Sequence, residues 1–372
     1  MKFTISQKRL LDALQIVSGV VPARSTTPIL ETILFELGDN SLKITGTDLE
    51  VSISTTIDPD VTETPGSIAL PAKVIIETIR ALPDIPVHFD VTENQKATIT
   101  TDKGFYQISG FLKDNFPQLE SSTGGQELEV DNSILHRMFS KTIFAVSSEE
   151  LRPSLMGVYL QVMPDEFRMV STDGHRLSKV INSSISFAGQ PMNMIIPPKA
   201  VQTALKNLTG PGNTSLFIDE NSLSFQFNNT TLYTRLVEGE YPDYEKVIPR
   251  DNNKSMIVNR DMLMSSVRRV SLFSSALTHQ ISFAIDSGKL VVCSEDADVG
   301  GEAREELEVE YSDEPMEIGY NAQYILDIVK HIDTDNVLFS LKTNVNATLI
   351  TPESQDENED FCMLIMPIKL NK

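Results

Sequence analysis

Cysteine is scarce in this chain of 372 residues, and its two copies, Cys293 and Cys362, form no CxxC pair. Two thiols in apolar, strand-like surroundings exclude a disulfide framework and a cysteine zinc site, and both are expected to be reduced core residues. Histidine is nearly as rare, with five copies and no metal-ligand spacing. No P-loop, no GxGxxG and no Ser or Cys nucleophile context occurs, which removes the usual nucleotide-binding and hydrolytic classes. Long apolar runs are missing too; residues 361–368 are among the longest and far too short to span a bilayer. Residues 1–11 lack the charged-then-apolar pattern of a leader, so a soluble, cytoplasmic protein without membrane partners is expected. Positive charge is also in deficit, with 31 Lys and Arg against 52 Asp and Glu, a net charge of −21. Taken alone, that balance argues against nucleic acid and anionic membranes as partners.

What the chain does contain is a long period. The segment 167–178, FRMVSTDGHRLS, alternates through Phe167, Met169 and Ser171, turns at Asp173-Gly174 and resumes through His175 and Leu177, the pattern of a hairpin. Its Thr172-Asp173 has a counterpart at Thr47-Asp48 and a weaker one at Glu295-Asp296, at separations of 125 and 123 residues. Helical stripes follow the same period. Leu10, Leu14 and Val17 recur as Leu135, Phe139, Ile143 and as Leu263, Val267, Val270, with Ser6, Asp131 or Asn132, and Asn259 as candidate caps. A second stripe, Ile75, Ile79, Leu82, recurs as Val201, Leu205, Leu208 and as Ile325, Val329, Ile332. Short alternating segments surround these helices. Each unit is therefore α+β with two helices and a majority of strands, and polar, turn-rich junctions place the units at 1–124, 125–252 and 253–372.

The outward faces of the helices answer the charge objection. At matched positions of the second helical block stand Lys73 and Arg80, Lys199 and Lys206, Gln323 and Lys330; five of these six are basic. The first block carries Lys8, then Arg137 and Lys141, then Arg268 and Arg269. The six helical segments together hold a charge of +8, so the remainder holds −29. Such segregation is what a positively lined channel in a negative body requires.

The triplicated plan, the opening MKFTISQKRLLDALQIVSGVV, RSTTPILETIL at 24–34, LKITGTDLE, STDGHRLS, EYPDYEKVIP and the ending MLIMPIKL resemble the bacterial replicative sliding clamp, the beta subunit of DNA polymerase III, over the whole chain. The resemblance implies three tandem two-helix, sheet-rich clamp domains, closed head-to-tail with a second copy into a ring whose helices line the hole. It implies sequence-independent encirclement of double-stranded DNA, with Arg24, Lys73, Arg80, Arg137, Lys141, Lys199, Lys206, Arg268 and Arg269 facing the duplex. It also implies a cleft for peptides of the replicative polymerase, the clamp loader and repair proteins. The cleft would be built from Leu155, Thr172, Gly174, His175, Arg176, Leu177, Pro242, Lys246, Val247, Val345, Leu364, Ile365, Met366, Pro367, Ile368 and Lys369. The homodimer seam would join Tyr106 to Leu272 and Phe273 of the other copy. No cofactor, no metal and no catalytic residue is implied. Two features depart from the pattern: Asn371 and Lys372 extend past Leu370, and Glu149, near Arg152, stands where an uncharged DNA-touching residue is expected.

Two other readings compete. Asp173 and His175 could act as an orienting carboxylate and a general base, with Glu295, Asp296 and Asp298 as conceivable metal ligands. Alternatively, the repeat and cleft could serve a peptide-binding scaffold that never meets DNA.

Overall fold

The structure, a computed structural model, describes residues 1–118, 125–296 and 300–370. The expected boundary near 124, Asp298 and the Asn371-Lys372 extension lie outside the described residues. Among those described there are six α-helices: α1 (Gln7–Ser18), α2 (Ala72–Ala81), α3 (Asn132–Thr142), α4 (Pro198–Asn207), α5 (Arg260–Val270) and α6 (Ala322–Lys330). They are the two helical stripes in each of three copies. Strands Lys2–Ser6, Gln126–Asp131 and Lys254–Asn259 run directly into α1, α3 and α5, and Gly66–Pro71, Met192–Ile196 and Met316–Asn321 precede α2, α4 and α6.

Local chemistry explains most of these starts. Asn259 accepts from Met262 N at 3.1 Å, Asn321 accepts from Gln323 N at 2.9 Å, and Asp131 accepts from Ser133 N at 2.8 Å, each satisfying an orphan helix donor. Ser6 differs from expectation, because its side chain makes no cap bond. It is still in the sheet opposite Pro86, and Gln7 N finds Ile85 O at 3.0 Å, so the sheet supplies what a cap would. The stripes are buried: Leu10, Leu14, Val17, Leu135, Phe139, Leu263, Val267, Val270, Ile75, Ile79, Val201, Ile325 and Val329 all have zero exposure. Each such side chain contributes about 1.5–3 kcal/mol on burial. Leu82 and Ile143 are only partly covered, because each falls just past the end of its helix. Cys362 is buried as expected, whereas Cys293 is only partly buried.

The chain divides into two compact units, residues 1–136 with 196–236, and residues 137–195 with 237–372. The central sequence copy is thus split between them, and hydrogen bonding is the reason. In the first unit, strand Val51–Ile57 of the first copy pairs antiparallel with Thr230–Arg235 of the second, from Val51↔Thr234 to Thr55↔Thr230, which closes an eight-stranded sheet. A separate five-stranded sheet ends at the edge strand Phe105–Ser109. In the second unit, Arg176–Asn182 of the second copy pairs with Glu359–Ile365 of the third, and this ladder runs through a twelve-stranded sheet.

In the first unit α1 lies so close to strand Leu42–Thr47 that a Cβ on Gly46 would sit 2.8 Å from both Val17 O and Val21 Cγ2. Only a hydrogen fits between that strand and the helix. Gly46→Ala is therefore expected to destabilise the protein by about 1–3 kcal/mol through overpacking, read as a lowered urea midpoint at unchanged slope.

Candidate functional site

The hairpin expected at 167–178 is present, with strands Phe167–Thr172 and Arg176–Asn182 in register from Phe167↔Asn182 to Thr172↔Leu177. Its turn is held by its own side chains. Thr172 Oγ1 donates to Arg176 O at 2.6 Å and accepts from Gly174 N at 3.1 Å, while Asp173 Oδ1 accepts from His175 N and Arg176 N, both at 2.9 Å. The first copy repeats this bond for bond: Thr47 Oγ1 with Val51 O and Leu49 N, Asp48 Oδ1 with Glu50 N and Val51 N. Gly174 has φ +88° and its counterpart Leu49 has φ +83°. A side chain is strained in that region, so glycine is the suited residue at 174.

Around this turn lies a cavity of about 910 Å³ within the second unit. Nine of the expected cleft residues line it: Leu155, Thr172, Gly174, Arg176, Leu177, Pro242, Val247, Leu364 and Met366. Register explains their meeting. Leu177 stands opposite Leu364, and Met366 N donates to His175 O at 2.8 Å, so the end of the chain is laid beside the turn. The next residues are anchored by Ile368 N donating to Gly319 O at 2.8 Å. A Cβ on Gly319 would fall 2.5 Å from Ile368 O, so glycine is required for that approach.

The other expected cleft residues sit elsewhere. Ile365 is fully buried in the sheet, Lys246 pairs with Asp243 at 2.9 Å, and Val345 projects from a loop with 74% exposure. His175 is exposed, with its ring 6.4 Å from that of Tyr324. Pro367, Ile368 and Lys369 follow the cavity wall as part of the anchored segment. Conversely, Leu151, Arg152, Pro153, Ser154, Tyr241 and Tyr244 line the cavity without having been singled out for it. Leu151 is 88% exposed, and the Tyr241 ring stacks on Tyr159 at 4.5 Å. The EYPDYEKVIP segment carried a signal, two aromatics flanking a proline, but served as one of the motifs of the resemblance. Arg152 pairs with Glu149 at 3.6 Å, so this loop contributes to the cleft.

Arg176 is held from several sides. Its Nε donates to Asp173 Oδ2 at 3.1 Å, Nη1 to Asp327 Oδ2 at 2.5 Å and Nη2 to Phe144 O at 2.8 Å, and the guanidinium lies 4.5 Å from the Tyr324 ring centroid. This arrangement dismantles the acid–base reading. Both oxygens of Asp173 are committed to backbone amides and Arg176, and the His175 imidazole lies beside Tyr324, not on the carboxylate. Glu295 lies at an exposed position, and no group of three His, Cys, Asp or Glu among the described residues is arranged to hold a metal ion.

The nine cations expected to face a duplex fall into two sets. Arg24, Lys73, Arg80, Lys206 and Arg268 are exposed and form no ion pair among the described residues. The others are bound internally. Lys199 bonds Asp48 and Val20 O, and Arg269 forms a bidentate pair with Glu305, both bonds at 2.6 Å. Arg137 grips Glu359 through Nε at 2.5 Å and Asp333 through Nη1 at 2.7 Å. Lys141 corrects an expectation, because it is 3% exposed, bonded to Glu359 at 2.7 Å and covered by the Phe361 ring. A phosphate cannot reach it. The helical period placed Lys141 on an outward face, but the third copy's strand Glu359–Ile365 closes over that face.

The expected seam residues are exposed apolar groups, Tyr106 on an edge strand and Leu272 and Phe273 on the 3-10 turn Ser271–Phe273 that follows α5. Phe105 and Tyr106 stand on the edge strand of the five-stranded sheet at 67% and 38% exposure. In the second unit Leu272 is 81% exposed and Phe273 packs near Gly301, where strand Gly301–Glu310 begins. That strand meets Lys254–Asn259 only through Val309 and Glu310 among the described residues, so its first half presents a free edge.

Comparison with known proteins points one way. Family models of the DNA polymerase III beta subunit match the N-terminal domain at residues 1–120, the central domain at 129–243 and the C-terminal domain at 245–369. The Beta sliding clamp of Chlamydia muridarum is 31% identical over 374 residues, covering 100% of both chains. Among solved structures, a DNA polymerase sliding clamp from Pseudomonas aeruginosa with ligand superposes with a TM-score of 0.93 at 29% identity. A DnaN sliding clamp from Bartonella birtlesii bound to griselimycin gives 0.94 at 30% identity; both cover 100% of each chain.

The Arg137–Lys141–Glu359 cluster makes stability depend on acid. Burial pushes the Glu359 pKa up, but hydrogen bonds from Arg137 and Lys141 outweigh it and hold the carboxyl below its ordinary value. Its contribution is present above the unfolded carboxyl pKa of about 4.3 and is lost as pH falls through the lower folded value. Glu359→Gln should cost about 1–3 kcal/mol at neutral pH, because buried Lys141 loses its nearer carboxylate and keeps only the half-exposed Asp333 at 3.3 Å. Denaturant titrations from pH 7 to 3 should also show a shallower acid loss in the variant than in the wild type.

Proposed function

The chain belongs to the DNA polymerase III beta subunit family, and from that membership we propose that it is a DNA sliding clamp, a processivity factor that encircles duplex DNA and tethers the replicative polymerase through the cleft beside Leu177 and Met366. One observation carries the reading: the match runs through all three domains. We assign those domains to 1–124, 125–252 and 253–372.

A clamp holds DNA by closure, so it needs phosphate contacts that are numerous, weak and blind to sequence. The exposed set, Arg24, Lys73, Arg80, Lys206 and Arg268, suits that role, and an acidic remainder discourages binding elsewhere on the surface. Closure requires a second copy. The exposed Phe105–Tyr106 edge strand and the free half of strand Gly301–Glu310, flanked by Leu272 and Phe273 on their 3-10 turn, are a pair of unlike, unpaired sheet margins. Joining one to the other on a partner chain buries both, and two such heterologous contacts close a ring. The cleft offers apolar walls with a few polar groups, which fits a short peptide with hydrophobic anchors from the polymerase, the clamp loader or repair proteins. The activity is non-catalytic, and the bacterial cytoplasm is where it operates. No described helix is long and apolar enough to cross a membrane.

Three outcomes are expected. Val247→Asp, at a 55% exposed cavity wall, should weaken binding of a labelled peptide carrying glutamine and leucine anchors by about a hundredfold, with no change in solution mass. Leu272→Asp with Phe273→Asp should halve the mass measured by light scattering; a persistent dimer refutes this seam. Lys73→Glu with Arg80→Glu and Lys206→Glu should shorten retention on end-blocked duplex DNA after loading. Their removal should also flatten the logarithmic salt dependence by about one unit per lost contact. Unchanged retention would favour a peptide scaffold that never meets DNA.

A further inference from the structure

Arg176 lines the cleft, yet all three of its guanidinium nitrogens turn inward. Asp173 takes Nε, Phe144 O takes Nη2 and Asp327 takes Nη1, while the Tyr324 ring covers the guanidinium plane. Tyr324 and Asp327 both belong to α6, a helix of the third copy, whereas Arg176 belongs to the hairpin of the second. The joint is reinforced nearby, where the Phe144 and His331 rings stack at 4.2 Å and 7°. Arg176 is 9% exposed, and its backbone lies between two cleft elements. Its amide donates to Asp173 within the turn, and its strand partner is Ile365, one residue before Met366. One rigid, planar side chain therefore links the cleft wall to α6.

We infer that Arg176 is a positioning residue that couples occupation of the cleft to the placement of α6, through the Asp327 carboxylate and the Tyr324 ring. This rests on the cleft being the peptide site. A peptide seated against Leu177 and Met366 presses on the turn whose far side is the Arg176 network, so bound and empty clefts favour different placements of the helix. Because α6 belongs to the same repeating set of helices as the cation-bearing α2 and α4, the coupling ties partner binding to a DNA-facing element. By linkage, whatever peptide binding does to α6, fixing α6 must do to peptide affinity.

Asp327 makes the test clean, because it does not line the cavity and its side chain is 45% exposed. The measurements are fluorescence anisotropy with the labelled glutamine–leucine peptide and amide hydrogen exchange of residues 322–330, on the full-length protein. Asp327→Asn is expected to weaken peptide binding by about tenfold, and Arg176→Lys likewise, because lysine cannot make the forked contact. The double variant should be no weaker than Arg176→Lys alone, since that change already removes the link to Asp327. Peptide binding should slow exchange in α6 in the wild type but not in Asp327→Asn. Full affinity in Asp327→Asn, or slowed α6 exchange in that variant, overturns the coupling. Failure of the cleft reading looks different: peptide binding would then be insensitive to Val247→Asp, whatever Asp327 does.

Discussion

The structure of the second unit depends on one antiparallel ladder, seven pairs long, from Arg176↔Ile365 to Asn182↔Glu359. It joins a strand of the second copy to a strand near the end of the third, residues nearly two hundred positions apart in the chain. A slip of one residue would turn Leu177 and Leu364 from one face to the other and would separate Met366 from the turn at 172–176. The same register carries Glu359 to Arg137 and Lys141, so the cleft and the buried ion cluster are two ends of one set of hydrogen bonds. The first unit uses an equivalent device, with Val51↔Thr234 in place of Arg176↔Ile365 and Arg235 N bonded to Glu50 O in place of Met366 N bonded to His175 O.

Equivalent frames with unlike residues produce unlike sites. Where the second copy has Gly174 and Leu177, the first has Leu49 and Ser52, and Ser52 bonds Thr47 at 2.7 Å beneath the turn. A polar, hydrogen-bonded residue in place of Leu177 removes an apolar wall. The turn is thus a structural module used more than once, and among the described residues the cleft arises where leucines meet Met366.

Charge follows a similar division. Cations that recur at matched helical positions are not equivalent in the fold. Lys73 and Lys206 face outward, while Lys199 and Lys141 fasten one copy to the next through Asp48 and Glu359. A periodic pattern reports which face of a helix is polar, but not what a distant segment lays against that face. This is why the helices, their stripes and the hairpin were legible in the sequence, while the cleft residues were named only through the family resemblance, and the buried state of Lys141, the inward turn of Arg176 and the part played by Leu151 and Tyr241 were not legible at all.

The sequence by itself determined the threefold α+β plan, because short-range periodicity and turn chemistry act within a few residues and repeat with the copies. It also determined the thrifty Thr-Asp turn, whose bonds are made within five residues. Tertiary structure alone decided how the copies share sheets, which cations remain exposed and which aromatics wall the cleft. Those outcomes rest on pairing between strands far apart in the chain, and a ladder's partner and register are set by the burial of whole faces, which no local pattern contains.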